Sequence, residues 1–382
     1  MTAARSSPAS GTHVAIVTDF LSGLGGTERY TATVAEALVM DGAAVEVFVA
    51  EPLRDTVWHD LLMGRGVAVH APVSDASAGR TWQMLNRHIA TARPDLILVN
   101  PLGRALVQWL PTLPPDLPLP PLVGVEYSHP GPLSAHWYPP ELPSVLHRFA
   151  AVIATCDASA RGVVDHFGYR GPIHIVPHLI HPPLPGTPPA LPRPHLGVIA
   201  RISVEKGLDY ALAAIALLRR AGVPAELSIY GSGSDDGRAH LLELTSCLGV
   251  GDSVHLRGLF HPIRDLNEVI HRHAIWLQPS LFESLPTALL EVFARGRTVI
   301  ASAVGGIPEF LEKVPGADDL LVPAVDTRAL ADRVLDALQH PEHFARLARA
   351  VQQHVLAQHS PEVVGPQLMR VLSNYMGVAR PG

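Results

Sequence analysis

The sequence predicts a parallel α/β protein made of two Rossmann-like domains. Short apolar runs alternate with helical patterns along the chain, as strands and covering helices of such sheets do. The alternation is broken once, by the proline-rich segment 181–194, and 382 residues exceed what a single core commonly holds.

In the first cycle the expected strands are HVAIVTDF (13–20), AAVEVFVA (43–50), VAVHAP (67–72), DLILVN (95–100), PLVGVEYS (121–128), AAVIATC (150–156) and IHIVPH (173–178). Helical segments such as TERYTATVAEALVMDG fill the gaps, with Gly42 as a stop. Residues 181–194 contain seven prolines, which rules out a helix or a central strand and predicts a linker. The second cycle has strands HLGVIA (195–200), AELSIYG (225–231), SVHLRG (253–258), AIWLQPS (274–280), TVIASA (298–303) and DLLVPA (319–324). The domains are thus expected over 13–180 and 195–358, with a helical segment at 359–382 able to pack back on the first domain. In such sheets ligands bind beyond the C-terminal strand ends.

Composition excludes several classes. An apolar content of 47% is incompatible with a disordered chain, and a net charge of −6 offers no basic face to nucleic acid or anionic lipid. Cys156 and Cys247 fall in different predicted domains, so no disulfide framework is expected. Residues 1–12 lack an apolar signal core, and no run of 18 apolar residues occurs, which predicts a frayed tail on a cytoplasmic protein with no integral membrane segment.

The chemistry-bearing residues gather in strand-to-helix loops. ARISVEKG places Arg201 and Lys206 directly after a strand and before a helix. Two cations beside a helix N-terminus suit a diphosphate, although such residues are also often simply solvated. Only two of the 29 basic residues are lysines, at 206 and 313. YGSGSDDG (230–237), with Gly231 and Gly233, and AVGGIPEF, with Gly305 and Gly306, permit tight turns and close backbone approach, as many glycine turns do. FESLPTALLE places Glu283 in the loop after a strand. Pro286 suits the first turn of a helix running from about 286 to Gly296, and Glu291 sits within that helix among Leu289, Leu290, Val292 and Phe293. A carboxylate so placed either faces solvent or has a partner.

In the first cycle FLSGLGGTERY sets Gly23, Gly25 and Gly26 between strand and helix. A dinucleotide reading would use Glu51 for a ribose, but position 28, where a third glycine belongs, holds Glu. His129, in EYSHPGP, follows another strand end.

Taken together, RISVEKG, FESLPTALLE, AVGGIPE and GLGGTE resemble the retaining nucleotide-sugar glycosyltransferases of family 4, which have the GT-B fold. The resemblance spans nearly the whole chain and is strongest over 196–312. RISVEKG is similar to the family's R-x4-K-G segment, and FESLPTALLE to its E-x7-E motif. The resemblance implies that Arg201 and Lys206 hold the donor diphosphate, Glu291 the ribose hydroxyls, and Glu283 the transferred sugar near its reacting carbon. It further implies that Gly25, Gly26, Gly231, Gly233, Ser284 and Leu285 line the donor, and that His129 lines the sugar and acceptor pocket. A nucleotide-diphosphate sugar, with UDP or GDP as nucleotide, would be the co-substrate. No D-x-D occurs, which fits a site needing neither metal nor cofactor. The acceptor would be a small molecule, lipid or saccharide, with a small natural-product scaffold preferred. The chain departs from the pattern in reading Pro177-His178-Leu179 where P-N-G is common, and in lacking an acid in the GSGS turn. An epimerase or hydrolase of the same fold, or a silent sugar-nucleotide sensor, are the competing expectations.

Overall fold

The computed structural model describes residues 11–23, 25–74, 78–183 and 194–376. Most of the predicted tail, and residues 184–193 of the predicted linker, lie outside these. The chain forms two compact units, one comprising the chain to Leu179 together with the segment from Pro361, the other Ile180–Ser360.

The first unit is built on β1 (His13–Thr18), β2 (Ala44–Val49), β3 (Ala68–His70), β4 (Leu96–Val99), β5 (Leu122–Glu126), β6 (Phe149–Ala154) and β7 (Ile173–Ile175), all parallel, in the order β3-β2-β1-β4-β5-β6-β7. Successive strand residues feed two separate cores. Val14, Ile16, Val45 and Val47 pack on one face, and Ala15, Val17, Phe48 and Val99 on the other. That double burial is why these strands read as near-continuous apolar runs. The expected strand at 173–178 is shorter, ending at Ile175. His178 is instead buried in this unit, its ring edge-on to Tyr30 at 5.6 Å and tilted on Tyr127 at 6.2 Å.

The terminal helix Pro361–Ser373 belongs to this unit. Val364, Leu368, Met369 and Leu372 join Tyr30, Val34 and Leu38 of the helix Gly26–Met40 in one core. Gln367 Nε2 donates to the Ile175 carbonyl at 2.9 Å, and Tyr375 Oη lies 2.8 Å from His174 Nε2.

The second unit repeats the plan with β8 (His195–Ile199), β9 (Glu226–Tyr230), β10 (Val254–Gly258), β11 (Ile275–Gln278), β12 (Thr298–Ser302) and β13 (Leu321–Val322), in the order β10-β9-β8-β11-β12-β13. In each sheet the chain winds outward from a first strand and then reverses to its other side. This creates a switch point between β1 and β4, and another between β8 and β11, where the two diverging loops leave room for a ligand. Cys156 lies in the first unit and Cys247 in the second, and no disulfide joins them.

Candidate functional site

At the switch point of the second unit the loops after β8 and β11 are tied together. The Leu281 amide donates to the Glu205 carbonyl at 2.8 Å, and Gly207 lies so close to the Pro279 carbonyl that a Cβ there would sit 2.0 Å from its oxygen. Gly207 also has φ 61°, so both its backbone conformation and this contact require glycine. It caps the helix Leu208–Arg220 and holds Lys206 at the end of a single 3-10 turn, Val204–Lys206.

Lys206 then reaches Glu283. Its Nζ lies 2.7 Å from Glu283 Oε1, and the same oxygen accepts from Ser280 Oγ at 2.9 Å and Gln278 Nε2 at 3.1 Å. Both side chains are largely sheltered, at 15% and 10% exposure, so this ion pair is a fixed feature of the loop rather than a transient surface contact. Arg201 is exposed and lies 3.2 Å from Glu205, which also accepts from Ser203 Oγ at 2.6 Å. The glycine turn after β9 packs on this loop. A Cβ on Gly231 would meet the Ala200 carbonyl, one on Gly233 would meet Ile202, and Ile202 bridges to Gly233.

The glycine loop after β12 supports Glu283 from its other side. The Gly306 amide donates to the Ser284 carbonyl at 2.8 Å, and Gly305, with φ 57°, leaves no room for a Cβ against the Glu283 carbonyl. Ser284 and Leu285 are buried. The helix that follows runs Thr287–Ala294, with Pro286 as its extended N-cap residue. The expected start at Pro286 is therefore one residue early, because ψ 133° at that proline is not helical.

Glu291 does not join this cluster through any contact described. It is 2% exposed, and its Oε2 pairs with Arg295 Nη1 one turn on. Arg295 also donates to the Glu291 carbonyl at 2.9 Å and, through Nε, to Asn267 Oδ1 at 2.6 Å. Of the two outcomes open to this carboxylate, solvent or a partner, it has a partner. The i,i+4 spacing of Glu291 and Arg295 was the available signal.

The first unit presents its own switch point. Gly25 is the N-cap of the helix Gly26–Met40, and the Glu28 carboxylate, 3% exposed, occupies the space a Gly25 Cβ would take. The Gly23 amide is held by Asp55 Oδ2 at 2.8 Å, and Trp58 Nε1 donates to the Gly23 carbonyl at 2.8 Å. An acid packed into that helix start opposes the dinucleotide reading, which needs the position for a pyrophosphate. Glu51, its candidate ribose ligand, faces Arg104 at 3.7 Å and Arg54 at 4.0 Å. His129 is half-buried, and its carbonyl accepts from Ser134 Oγ at 2.7 Å.

Two acids at strand ends escaped the reading of the sequence. Asp19, just after β1, accepts from the Ala105 amide at 2.6 Å and the Arg104 amide at 3.3 Å, while burial raises its pKa. Glu126 ends β5, fully buried. Desolvation pushes its carboxyl up to about 7 against the opposing pull of the Ser128 amide, 2.7 Å from Oε1. Its folded pKa thus lies above the ordinary value of 4.5. The native state holds the proton more tightly, so this stabilisation is complete below about pH 4.5 and is lost as pH rises towards 7. The loss is roughly 3 kcal/mol. Urea unfolding across that range should show it, and Glu126→Gln should flatten the slope.

A groove of about 650 Å³ in the second unit, lined by Tyr230, Arg257, Phe260, Arg272 and His273 among others, contains none of the predicted donor residues. His273 is structural there. Its Nδ1 lies 2.9 Å from the Val269 carbonyl, its ring is 4.8 Å from that of Trp276, and burial pushes its pKa down to about 4.

Residues 24–183 match the model for Glycosyltransferase Family 4, and residues 193–340 the model for Glycosyl transferases group 1. Both parts of the chain are thus similar to glycosyltransferase domains. Among curated relatives, the Alpha-D-kanosaminyltransferase of Streptomyces kanamyceticus is 30% identical over 46% of this chain and 44% of its own length. The 2-deoxystreptamine glucosyltransferase of the same organism is 28% identical over 52% of this chain and 51% of its own. The putative colanic acid biosynthesis glycosyltransferase WcaL of Escherichia coli is 29% identical over 50% and 47%. The chain thus spans about half the length of the curated relatives it matches. Among solved structures, Anabaena HepE in complex with UDP-glucose superposes with a TM-score of 0.75 at 18% identity, covering 95% of this chain and 99% of that one. Sucrose-phosphate synthase from Thermosynechococcus elongatus also gives 0.75 at 18%, over 95% and 98%. These structural likenesses establish the GT-B fold. Among the described residues of this GT-B chain, no helix is long and apolar enough to cross a membrane.

Proposed function

We propose that this GT-B chain is a retaining glycosyltransferase that moves a sugar from a nucleotide-diphosphate donor to a small-molecule acceptor. The observation that carries the reading is the Lys206–Glu283 pair at the β8/β11 switch point, with Arg201 on the same loop. A diphosphate needs cations that survive desolvation, and an ammonium already fixed by a carboxylate is placed without reorganisation when charge develops on the leaving group. Arg201 adds a planar donor set suited to phosphate oxygens. Glu283 would lie against the transferred sugar, where its charge favours an oxocarbenium-like transition state. The role of Glu291 at the ribose rests on the E-x7-E resemblance alone.

On this reading the acceptor attacks the face that the diphosphate leaves, and a departing phosphate oxygen takes the acceptor proton. The anomeric configuration is retained, and no protein base or bound magnesium is needed. A UDP-linked donor is favoured by the UDP-glucose complex of the HepE neighbour, and an aminocyclitol-like natural-product acceptor by the 2-deoxystreptamine glucosyltransferase of Streptomyces kanamyceticus. Acceptor recognition is assigned to the first unit, which offers His129 after β5.

The test is transfer from a panel of UDP-, GDP- and TDP-sugars to aminocyclitol acceptors, with no magnesium added and the product's anomeric coupling read by NMR. A product with the donor's configuration is expected. Inversion, or a strict magnesium requirement, would defeat the mechanism.

A further inference from the structure

Three histidines and a glutamate converge on one face of the first sheet. Glu46 lies on β2, on the face that carries Phe48 and Ala50 into the second core, where an apolar side chain is the norm. His13 opens β1, His70 ends β3, and His88 descends from the covering helix Ala78–Ala92. All four side chains are between 12% and 25% exposed.

Their nitrogen and oxygen atoms point at one another. His13 Nε2 lies 3.2 Å from His88 Nε2 and 3.5 Å from Glu46 Oε1, and His88 Nδ1 lies 3.4 Å from that same oxygen. A zinc ion bound tetrahedrally at 2.0–2.1 Å separates its ligand atoms by roughly 3.3 Å. The two edges that meet at His13 Nε2, 3.2 Å to His88 Nε2 and 3.5 Å to Glu46 Oε1, match that spacing, and one ligand atom from each of the three residues lies within 4.8 Å of the others. His70 Nε2 sits 2.7 Å from the other oxygen, Glu46 Oε2, the position of an outer partner that orients a ligating carboxylate. Phe48 packs against both His70, stacked at 4.6 Å, and His88, at 5.4 Å, and so holds the rings in place.

We propose that His13, His88 and Glu46 bind one zinc(II) ion, with His70 fixing the glutamate. Two imidazoles and a carboxylate suit zinc and similar first-row ions, whereas magnesium and calcium prefer oxygen ligands throughout. Water completes the coordination. Because His13 stands at the start of β1, the ion would lie towards the end of the sheet opposite the ligand-binding strand ends. It would clamp the two neighbouring strands β1 and β2 to their covering helix rather than take part in sugar transfer.

The test uses the full chain, free of affinity tag and stripped with a chelator. Zinc chloride is titrated by calorimetry, and cobalt(II) is added separately to read its d–d absorption. The wild type should bind one zinc per chain, give the spectrum of four-coordinate cobalt, and melt at a higher temperature with zinc. A His13→Asn/His88→Gln double variant should lose all three responses. His70→Ala, which keeps every direct ligand, should still fold and bind about 10–100-fold more weakly. Failure of the wild type to bind one ion, six-coordinate cobalt, or unchanged affinity in the double variant would overturn the proposal.

Discussion

Replacing Lys206 with alanine is expected to lower kcat/KM by about 10²–10³-fold, or roughly 3–4 kcal/mol of transition-state stabilisation. Two effects act in the same direction. The variant loses the cation that would face the leaving diphosphate. It also removes the ammonium partner of the Glu283 carboxylate, which accepts from the neutral Ser280 and Gln278 donors and would face an anionic donor. Arg201→Ala should lose a similar factor in rate but less in stability, since Arg201 is exposed while Lys206 is sheltered. Steady-state kinetics with the donor found active, alongside urea unfolding of each variant, separates the two contributions. A Lys206→Ala enzyme with wild-type kcat/KM would remove this residue from the mechanism.

Glu291→Ala is expected to destabilise the second unit by about 3–5 kcal/mol, because it removes the carboxylate paired with the buried Arg295 guanidinium. A Glu291→Leu/Arg295→Met double variant removes both charges and should recover most of that loss. Equilibrium unfolding in urea at neutral pH measures both. If the single variant were as stable as the wild type, the buried pair would not be holding this helix. The pair also governs how a ribose role is tested. Glu291→Gln keeps the volume and an acceptor for Arg295 but removes the charge, so a loss of nucleotide affinity in that variant reports on binding only where its urea midpoint matches the wild type.

The sheets were legible in the sequence because parallel strands covered on both faces must be apolar at consecutive positions, and all thirteen expected strands are present. The placement of Arg201 and Lys206 was legible for a related reason, since the strand ending at Ile199 fixes the βα loop that carries them. Glu291 shows the limit. Its apolar neighbours left it either solvated or partnered, and the i,i+4 spacing to Arg295 that would have settled this was not used. Asp19 and Glu126 were hidden by the apolar runs they terminate. The His13, Glu46, His70 and His88 cluster spans 75 residues and four elements, so no local spacing could announce it. It exists only once the register of β1, β2 and β3 is fixed.

The central claim is that the switch point of the second unit is a nucleoside-diphosphate site built on Arg201 and Lys206. Calorimetric titration of UDP, GDP, TDP and NAD into the wild type, Arg201→Ala and Lys206→Ala tests it directly. One nucleoside diphosphate should saturate the wild type and bind roughly tenfold to a hundredfold more weakly to each variant, while NAD should not bind. Equal affinity in wild type and both variants, or binding of NAD alone, would contradict the account.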